Sequence, residues 1–327
     1  GDIAVMLFNA LPSRFVRYDR DGSLEAVAIS GKGEDTVYDT LLRRLGVEET
    51  TDFFVVDESD VDTALTNVTP YVGASVKAYM NKDDEIIAIS EVESVFLTGE
   101  FDDDTFSADD VDYTLSKEAE GTKDTAATFI NGERASLSVA DGDTYTIAAK
   151  VSGKTIKEVF SVTEWKIREA DYFATADADD INEDAELFGY KFYKDDNQEI
   201  DTNRFELIGV DSLDDIKKDD VVYVYTGKDS STGRITRIAV GNTSVSGKVS
   251  KVNSSEKKFT VNGTVYSLAD ETLVTNKPGT GDEVKLILDA YGDIYDIDKI
   301  SGTEDYAVVL DTADGEKGLN GNDAKIK

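Results

Sequence analysis

Two residue types that dominate enzyme chemistry are missing from this chain of 327 residues, which contains neither His nor Cys. Without His, the usual proton shuttle, the Ser-His and Cys-His nucleophile pairs and nearly every zinc or iron site are excluded. The lack of Cys excludes disulfides and is compatible with a cytosolic protein or with a bacterial exported one. Carboxylate-only chemistry of the glycosidase kind stays open. No sequence feature indicates a cleft for it, and we predict a protein that is not an enzyme.

Basic residues are also scarce, with 34 Lys and Arg against 68 Asp and Glu, so the net charge is −34. This charge argues against nucleic acid and anionic membranes as partners. No stretch reaches the roughly 18 apolar residues of a membrane span, so we predict no membrane insertion. Apolar residues make up 40% of the chain, with 15 Tyr and 14 Phe. That share is too high for a disordered protein, and we expect the chain to fold.

One hairpin pattern recurs four times along the chain. Each copy has an alternating strand, a polar turn and a second strand of the form I-x-x-[I/V]. The first strands are led by Val76, Tyr145, Val221 and Val284. The second strands carry the pairs Ile86/Ile89, Ile156/Val159, Ile235/Ile238 and Ile294/Ile297. The recurrence indicates tandem antiparallel modules of roughly 60–80 residues.

Three turns are predicted from one Asp-Gly and two Asn-Gly pairs, and Asn-Gly tolerates the positive φ angles of a tight type I′ turn. Asp21-Gly22 predicts a hairpin near the start of the chain. Asn131-Gly132 and Asn262-Gly263 lie in the similar phrases FINGERASL and VNGTVYSL, which suggests equivalent positions in two modules. The stretches that begin at Ser94 and Ser244 are predicted to be similar strands.

The resulting prediction is a mainly β fold of tandem small antiparallel β-barrel or sandwich modules, with a short N-terminal helix and one amphipathic helix near 34–45. That second helix would place Val37, Leu41, Leu42 and Leu45 on one face. A further short turn of helix is expected around 178–188. The expected divisions are an upstream helix at 1–12, a connecting hairpin and helix at 13–50, β modules at 51–97, 98–163, 164–242 and 243–303, and the start of another module at 304–327. One large β domain is the alternative.

Clusters of acidic residues are the most prominent candidate sites, because crowded carboxylates repel one another and a bound Ca²⁺ removes that repulsion. Residues 195–206 place oxygen ligands at positions 1, 3, 5, 7 and 12 of an EF-hand-like loop, but Ile200 stands where that loop needs Gly. For each cluster the alternative is a solvated hairpin tip. We expect at least one Ca²⁺ site, with candidate ligands Asp102, Asp103, Asp104, Asp177, Asp179, Asp180, Asp195, Asn197, Glu199, Asp201 and Glu206.

Aromatic residues offer a second candidate surface. Tyr223 and Tyr225 alternate with valines and so share one face of a strand, where they could form a sugar-binding strip. Packing inside a sheet is the favoured interpretation of this pair. Trp165, the single Trp, is expected to pack at a junction between modules.

The first eleven residues, GDIAVMLFNAL, have apolar Ile3, Leu7 and Leu11 at helical spacing. They resemble the final helix of an SLH (S-layer homology) motif, in which Thr-Arg precedes a stretch of the form [A/G]-E-[F/I]-A-x-[M/L]-L-[Y/V]-x-A-L. The resemblance implies upstream SLH motifs that bind cell-wall polysaccharide. The family's Thr-Arg would lie just before Gly1, so no wall-binding residue is assigned to this chain.

These observations lead to one expected function and two alternatives. We expect an extracellular segment of a bacterial surface-layer protein on the cell wall, which associates with itself in a lattice or filament with help from Ca²⁺. An adhesin or carbohydrate-binding module is the first alternative and would expose an aromatic platform. The second is a non-catalytic part of an SLH-anchored hydrolase.

Overall fold

The computed structural model describes residues 13–33, 36–176, 179–228, 232–255, 257–270 and 278–301, together with four residue pairs between 312 and 326. The fold is mainly β with a few short helices, as predicted. The expected helix at 1–12 lies outside the described residues. The chain forms two compact units, Gly1–Lys218 with Val222–Ala239, and Asp219–Val221 with Val240–Lys327. None of the described helices has the length and apolar character needed to cross a bilayer.

The N-terminal part contains two small hairpins and one helical turn. Its elements are β1 (Val16–Tyr18), β2 (Leu24–Ala26), β3 (Ala28–Ser30), β4 (Val37–Tyr38) and α1 (Leu41–Arg44). The predicted turn at Asp21-Gly22 joins β1 to β2, with Gly22 at a φ of 80°.

The prediction of an amphipathic helix near 34–45 is wrong for residues 36–40, which are not helical. Val37 pairs with Ser30 in an antiparallel ladder, so it lies in a strand. The helix starts only after Thr40, whose hydroxyl accepts a hydrogen bond from the Arg43 N–H. The helical spacing of the apolar residues did not reveal that Thr40 caps the helix, so the β-branched Val37, three residues earlier, lies in a strand.

The first sheet is built around one strand that pairs with three others. Its elements are β5 (Glu48–Glu49), β6 (Phe54–Val55), α2 (Glu58–Thr63), β7 (Ser75–Met80) and β8 (Ile86–Val92), with a 3₁₀ turn at Thr69–Tyr71. β8 pairs along β7, while β5 and β6 pair with its two ends. Helix α2 begins with a capping box between Asp57 and Asp60. Val56, Val76 and Ile86 lie in the core of this sheet.

The second sheet closes into a five-stranded barrel. Its elements are β9 (Val95–Asp102), β10 (Thr105–Ala108), β11 (Val111–Leu115), α3 (Lys117–Lys123), β12 (Ala127–Ile130), β13 (Glu133–Arg134), β14 (Thr144–Ser152) and β15 (Thr155–Glu164). The order is β11-β10-β9-β14-β15-β12-β13, and β11 also pairs in parallel with β15. Phe101 and Phe106 meet edge to face in the core, with ring centroids 4.7 Å apart.

The third sheet has the order β16-β20-β21-β19. The elements of this region are β16 (Glu169–Tyr172), α4 (Asp179–Asp184), β17 (Glu186–Leu187), β18 (Tyr190–Lys191), β19 (Glu206–Ile208), a 3₁₀ turn at Leu213–Asp215, β20 (Val221–Thr226) and β21 (Ile235–Gly241). Helix α4 lies where a short helix was predicted. Every residue of β20 is buried, so this strand is covered on both faces.

The fourth sheet lies in the second unit, and its strands connect in the same order as those of the barrel in the second sheet. It contains β22 (Thr243–Asn253), β23 (Lys258–Val261), β24 (Thr264–Ser267), β25 (Glu283–Leu288) and β26 (Ile294–Ser301), in the order β24-β23-β22-β25-β26. A parallel bridge between Leu268 and Ile294 brings the end of β24 beside β26. Four short strands follow as two antiparallel pairs, β27 (Thr312–Ala313) with β30 (Lys325–Ile326) and β28 (Lys317–Gly318) with β29 (Gly321–Asn322).

All four predicted repeat hairpins are present, as β7–β8, β14–β15, β20–β21 and β25–β26. The four leading residues of their first strands are all buried. The strands predicted to resemble each other from Ser94 and Ser244 are β9 and β22, the first strands of the two barrels. Both strands carry a glycine at the corresponding position: Gly99 pairs with Tyr145 of β14, and Gly247 pairs with Val284 of β25. At both glycines a Cβ would lie within 3.0 Å of an atom in a neighbouring strand or turn. Because the barrel closes only if these segments approach closely, both positions require a residue without a side chain.

The two Asn-Gly turns form as predicted, but they are not equivalent. Asn131 and Asn262 have φ angles of 49° and 52°, each followed by a glycine at positive φ. The first turn joins β12 to β13, outside the barrel and beside β15, whereas the second joins the second and third strands of its barrel. A turn dipeptide specifies only the local backbone, so it does not encode where its hairpin is placed in a module.

Candidate functional site

The side chain of Asn131 ties the second sheet to the third. It is fully buried, and its amide group donates to the backbone oxygens of Lys166 at 2.9 Å and Thr226 at 2.6 Å. Its carbonyl oxygen accepts the Lys166 N–H at 2.5 Å, and its backbone oxygen accepts the Thr236 hydroxyl at 2.7 Å. A buried amide with every polar atom paired fixes both distance and orientation. Asn131 therefore acts as a clasp between β12, the start of the third sheet and β20–β21.

A cation–aromatic stack lies beside this clasp. The guanidinium of Arg237 stands 3.3 Å from the ring centroid of Trp165, and its Nε donates to the Glu206 carboxylate at 2.6 Å. Tyr225 meets Trp165 edge to face with centroids 5.7 Å apart. Trp165 thus packs where the second sheet passes into the third, as predicted. Arg is suited to this position because its planar group can stack and pair at the same time.

The first and second sheets approach closely at Gly73. This residue has a φ of 87°, and a Cβ there would lie closer than 3.0 Å to the buried Ser161 hydroxyl oxygen. Nearby, Arg134 of β13 donates to Asp57, the N-cap of α2, at 3.1 Å. Burial acts to raise the pKa of Asp57, but hydrogen bonds from Ser59 and Arg134 outweigh it and hold that pKa below its ordinary value. The ionised Asp57 therefore holds both its own helix and the neighbouring sheet.

The first sheet also contacts the third. The Asn67 amide donates to the Phe205 backbone oxygen at 3.2 Å, and the Thr69 hydroxyl donates to the Asn203 backbone oxygen at 2.9 Å. An ion pair joins Arg204 to Asp62 at the same place. These contacts link segments more than 130 residues apart in sequence. The three sheets of the first unit are therefore held together pairwise by specific polar contacts.

The predicted Ca²⁺ ligands are distributed over several places. Asp102, Asp103 and Asp104 are exposed around the β9–β10 turn, where Asp103 has a φ of 49°. Asp179 and Asp180 lie in α4, and Asp177 lies outside the described residues. Within the described part of the chain, no group of three or more acidic side chains is arranged to hold a metal ion.

The EF-hand-like stretch is a hairpin tip closed by a bridge between Lys194 and Ile200. Asp195 accepts the backbone N–H groups of Asn197 and Glu199 at 2.8 and 3.0 Å. Two further candidates, Asp201 and Glu206, also have partners within the protein. Asp201 accepts the Asn203 N–H at 3.0 Å, and Glu206 pairs with Arg237. Asp195, Asp201 and Glu206 thus use oxygens for internal hydrogen bonds and ion pairs.

A groove of approximately 750 Å³ lies next to this hairpin. Phe205 and Leu213 are buried at its base, and Glu199, Asp211 and Asp214 are exposed on its rim. The described residues that line it include no Lys or Arg. Such a groove could accept a hydroxyl-rich or cationic group, but it has no exposed aromatic platform.

Sequence reasoning identified the Asn131-Gly132 turn and the junction position of Trp165, but not the clasp. Nothing in the letters Asn-Gly distinguishes a buried amide from an exposed one. Tyr223 and Tyr225 are buried, which confirms packing as the favoured interpretation of this pair.

No protein-family model matches the chain, and no curated protein sequence matches it significantly.

Proposed function

We propose that this chain is a structural segment of an extracellular bacterial surface layer that associates with itself in a lattice or filament. The observation that carries the proposal is the Asn131 clasp, supported by the Arg237 stack and the Gly73 contact. These contacts hold three small sheets together in one compact unit, and a fixed arrangement of its sheets is what a repeating assembly requires of its subunit. We infer further that the four sheets are successive modules of one repeated design, since each is built around one copy of the predicted hairpin.

The cell-wall location rests on the resemblance of the first eleven residues to an SLH helix. Attachment to wall polysaccharide would come from SLH motifs upstream of this chain. Ca²⁺ is proposed as a stabilising ion because a chain of net charge −34 must offset repulsion when copies approach each other. Its ligands would include oxygens at the exposed turns together with oxygens of a second copy, since the described residues of one copy contain no group of three or more acidic side chains arranged for a metal.

Electron microscopy of the purified chain, with Ca²⁺ and with Mg²⁺ at equal ionic strength, tests the proposal. Sheets or filaments that form with Ca²⁺ are the expected result. Assembly in both solutions would retain the structural role but remove the special role of Ca²⁺. Monodisperse single chains in every solution would refute self-assembly.

A carbohydrate-binding role is the second candidate, and the acidic groove beside Phe205 is the observation that favours it. Titration calorimetry with wall oligosaccharides would test it, with Asp211→Ala as the groove variant. The exposed Glu100→Ala, on β9 and far from the groove in sequence, is the matched control. Binding that is lost only in Asp211→Ala would support this role, and no binding by the unchanged chain would reject it.

A further inference from the structure

The segment from Ser13 to Gly46, here called the N-terminal segment, has paired strands but no core of its own. Among its described residues, 13–33 and 36–46, none is buried. Its internal contacts are surface stacks, such as Arg14 over Tyr38 at 3.8 Å and Arg44 over Phe15 at 3.9 Å. Two-stranded hairpins are marginally stable in water unless another layer covers one face. The segment therefore needs a covering surface.

The β1–β2 hairpin presents the face that needs this cover. Its register places Val16 opposite Ala26 and Tyr18 opposite Leu24, so these four apolar residues share one face. Val16, Tyr18 and Leu24 are 55%, 74% and 62% exposed. The opposite face carries the Arg17–Glu25 ion pair. Six of the fourteen exposed large apolar side chains in the described residues belong to the N-terminal segment, and three of these six lie on this hairpin face.

Charge indicates what can cover it. The N-terminal segment contains six basic and six acidic residues, so its net charge is zero, whereas the whole chain carries −34. The rest of the chain therefore carries the whole net charge of −34, so two copies repel each other overall. The apolar hairpin face belongs to a neutral segment, so two copies can bring it together with little electrostatic cost.

We propose that the apolar face of the β1–β2 hairpin is a contact between two copies of this chain, in which each N-terminal segment covers the other. The inference rests on the proposed self-assembly and names one of its interfaces. The same patch on both copies forms a two-fold symmetric contact. Because the contact is apolar and the rest of each copy is acidic, added salt tightens the dimer by screening the repulsion.

Sedimentation velocity of the full chain at several concentrations and two NaCl concentrations tests the contact. The variant is Tyr18→Ser with Leu24→Ser, and the matched control is Val265→Ser, a strand residue of the second unit that is 58% exposed. The unchanged chain and the control should dimerise, more tightly at higher salt. The double variant should dimerise at least about 100-fold more weakly, since each buried apolar side chain contributes about tenfold or more. A monomeric unchanged chain, a double variant that dimerises normally, or a dimer weakened by salt would each overturn the inference.

Hydroxyl-radical footprinting of the unchanged chain keeps the test valid if the double variant misfolds. Tyr18 should become protected as protein concentration rises. Protection that is independent of concentration would mean that the face is covered within one chain, and constant reactivity would mean that it is not covered at all; both results reject the contact. Assemblies that form normally in the double variant would reject the contact but leave the proposed function standing. Failure of the unchanged chain to associate in any solution would reject both.

Discussion

Removal of the Asn131 side chain tests whether the clasp holds two sheets together. Glycine is the suitable replacement, because Gly-Gly also forms the type I′ turn and keeps the positive φ of 49° without strain. Asn131→Gly therefore removes the amide and leaves the hairpin. The matched control is Asn262→Gly, at the same dipeptide and with nearly the same φ, where the amide donates to the Ser246 oxygen at 2.9 Å from an exposed position.

The expected cost follows from the hydrogen bonds that are lost. Asn131 makes three side-chain bonds, each worth about 1 kcal/mol net, and its removal also takes this donor from the buried Thr226 oxygen, whereas the two bonds to the Lys166 backbone are only partly buried. The free energy of unfolding of the first unit should fall by about 3–5 kcal/mol, against about 0.5–1 kcal/mol for the second unit in Asn262→Gly. In a unit of this size the melting temperature should decrease by roughly 10 °C.

Differential scanning calorimetry can measure both losses, provided that the two units melt as separate transitions. Hydrogen exchange measured by mass spectrometry locates the effect. Asn131→Gly should accelerate exchange in β20 and β21 more than in β9 and β10. If Asn131→Gly costs no more than Asn262→Gly, the buried amide does not hold the sheets together, and the case for a rigid unit fails.

Three other substitutions have defined outcomes. Gly73→Ala should destabilise the first unit by at least about 2 kcal/mol in urea unfolding, because the added Cβ would overlap a buried hydroxyl. The control Gly121→Ala, in α3 with open space around it, should stabilise the unit by up to about 1 kcal/mol. Equal effects of the two substitutions would contradict the close contact at Gly73. Arg237→Lys should shift the fluorescence of Trp165 to longer wavelength as the planar stack is lost, and an unchanged spectrum would argue against that stack. Burial and a neighbouring carboxylate raise the pKa of Asp293 above 3.8, so its charged form costs stability at neutral pH. Asp293→Asn should stabilise the second unit at pH 7, with a gain that disappears as the pH falls to 3.8 and below; a gain that is constant with pH would show another cause.

The hairpins could be predicted from the sequence because their causes are local. Alternating apolar residues determine which face of a strand is buried, and the turns at Asp21-Gly22 and Asn131-Gly132 follow from residues that accept positive φ. The closure of two barrels could not be predicted in the same way. It depends on parallel neighbours such as β11 and β15, whose pairing joins Thr114 to Thr155 across a long stretch of sequence. Glycines such as Gly99 permit that closure, but a glycine inside a strand has several possible meanings.

The helix near 34–45 shows how a periodic pattern can mislead. Its apolar spacing suited a helix, but the capping preference of Thr40 determined where the helix begins. The acidic loop at 195–206 differs, because Asp195 accepts hydrogen bonds from its own turn while the metal site there stays a prediction.

The distribution of arginine connects the rigid unit with the proposed contact between copies. The chain has ten Arg, and five lie in the neutral N-terminal segment. Arg134 and Arg204 pair with carboxylates between sheets of the first unit, and Arg237 pairs with Glu206 inside the third sheet while stacking on Trp165. In a chain with twice as many acidic as basic residues, these cations reduce the repulsion between surfaces that carry carboxylates. Arginine therefore contributes to joints within the first unit, and in the N-terminal segment it helps to bring the net charge to zero, which lets the apolar face of the β1–β2 hairpin approach a second copy.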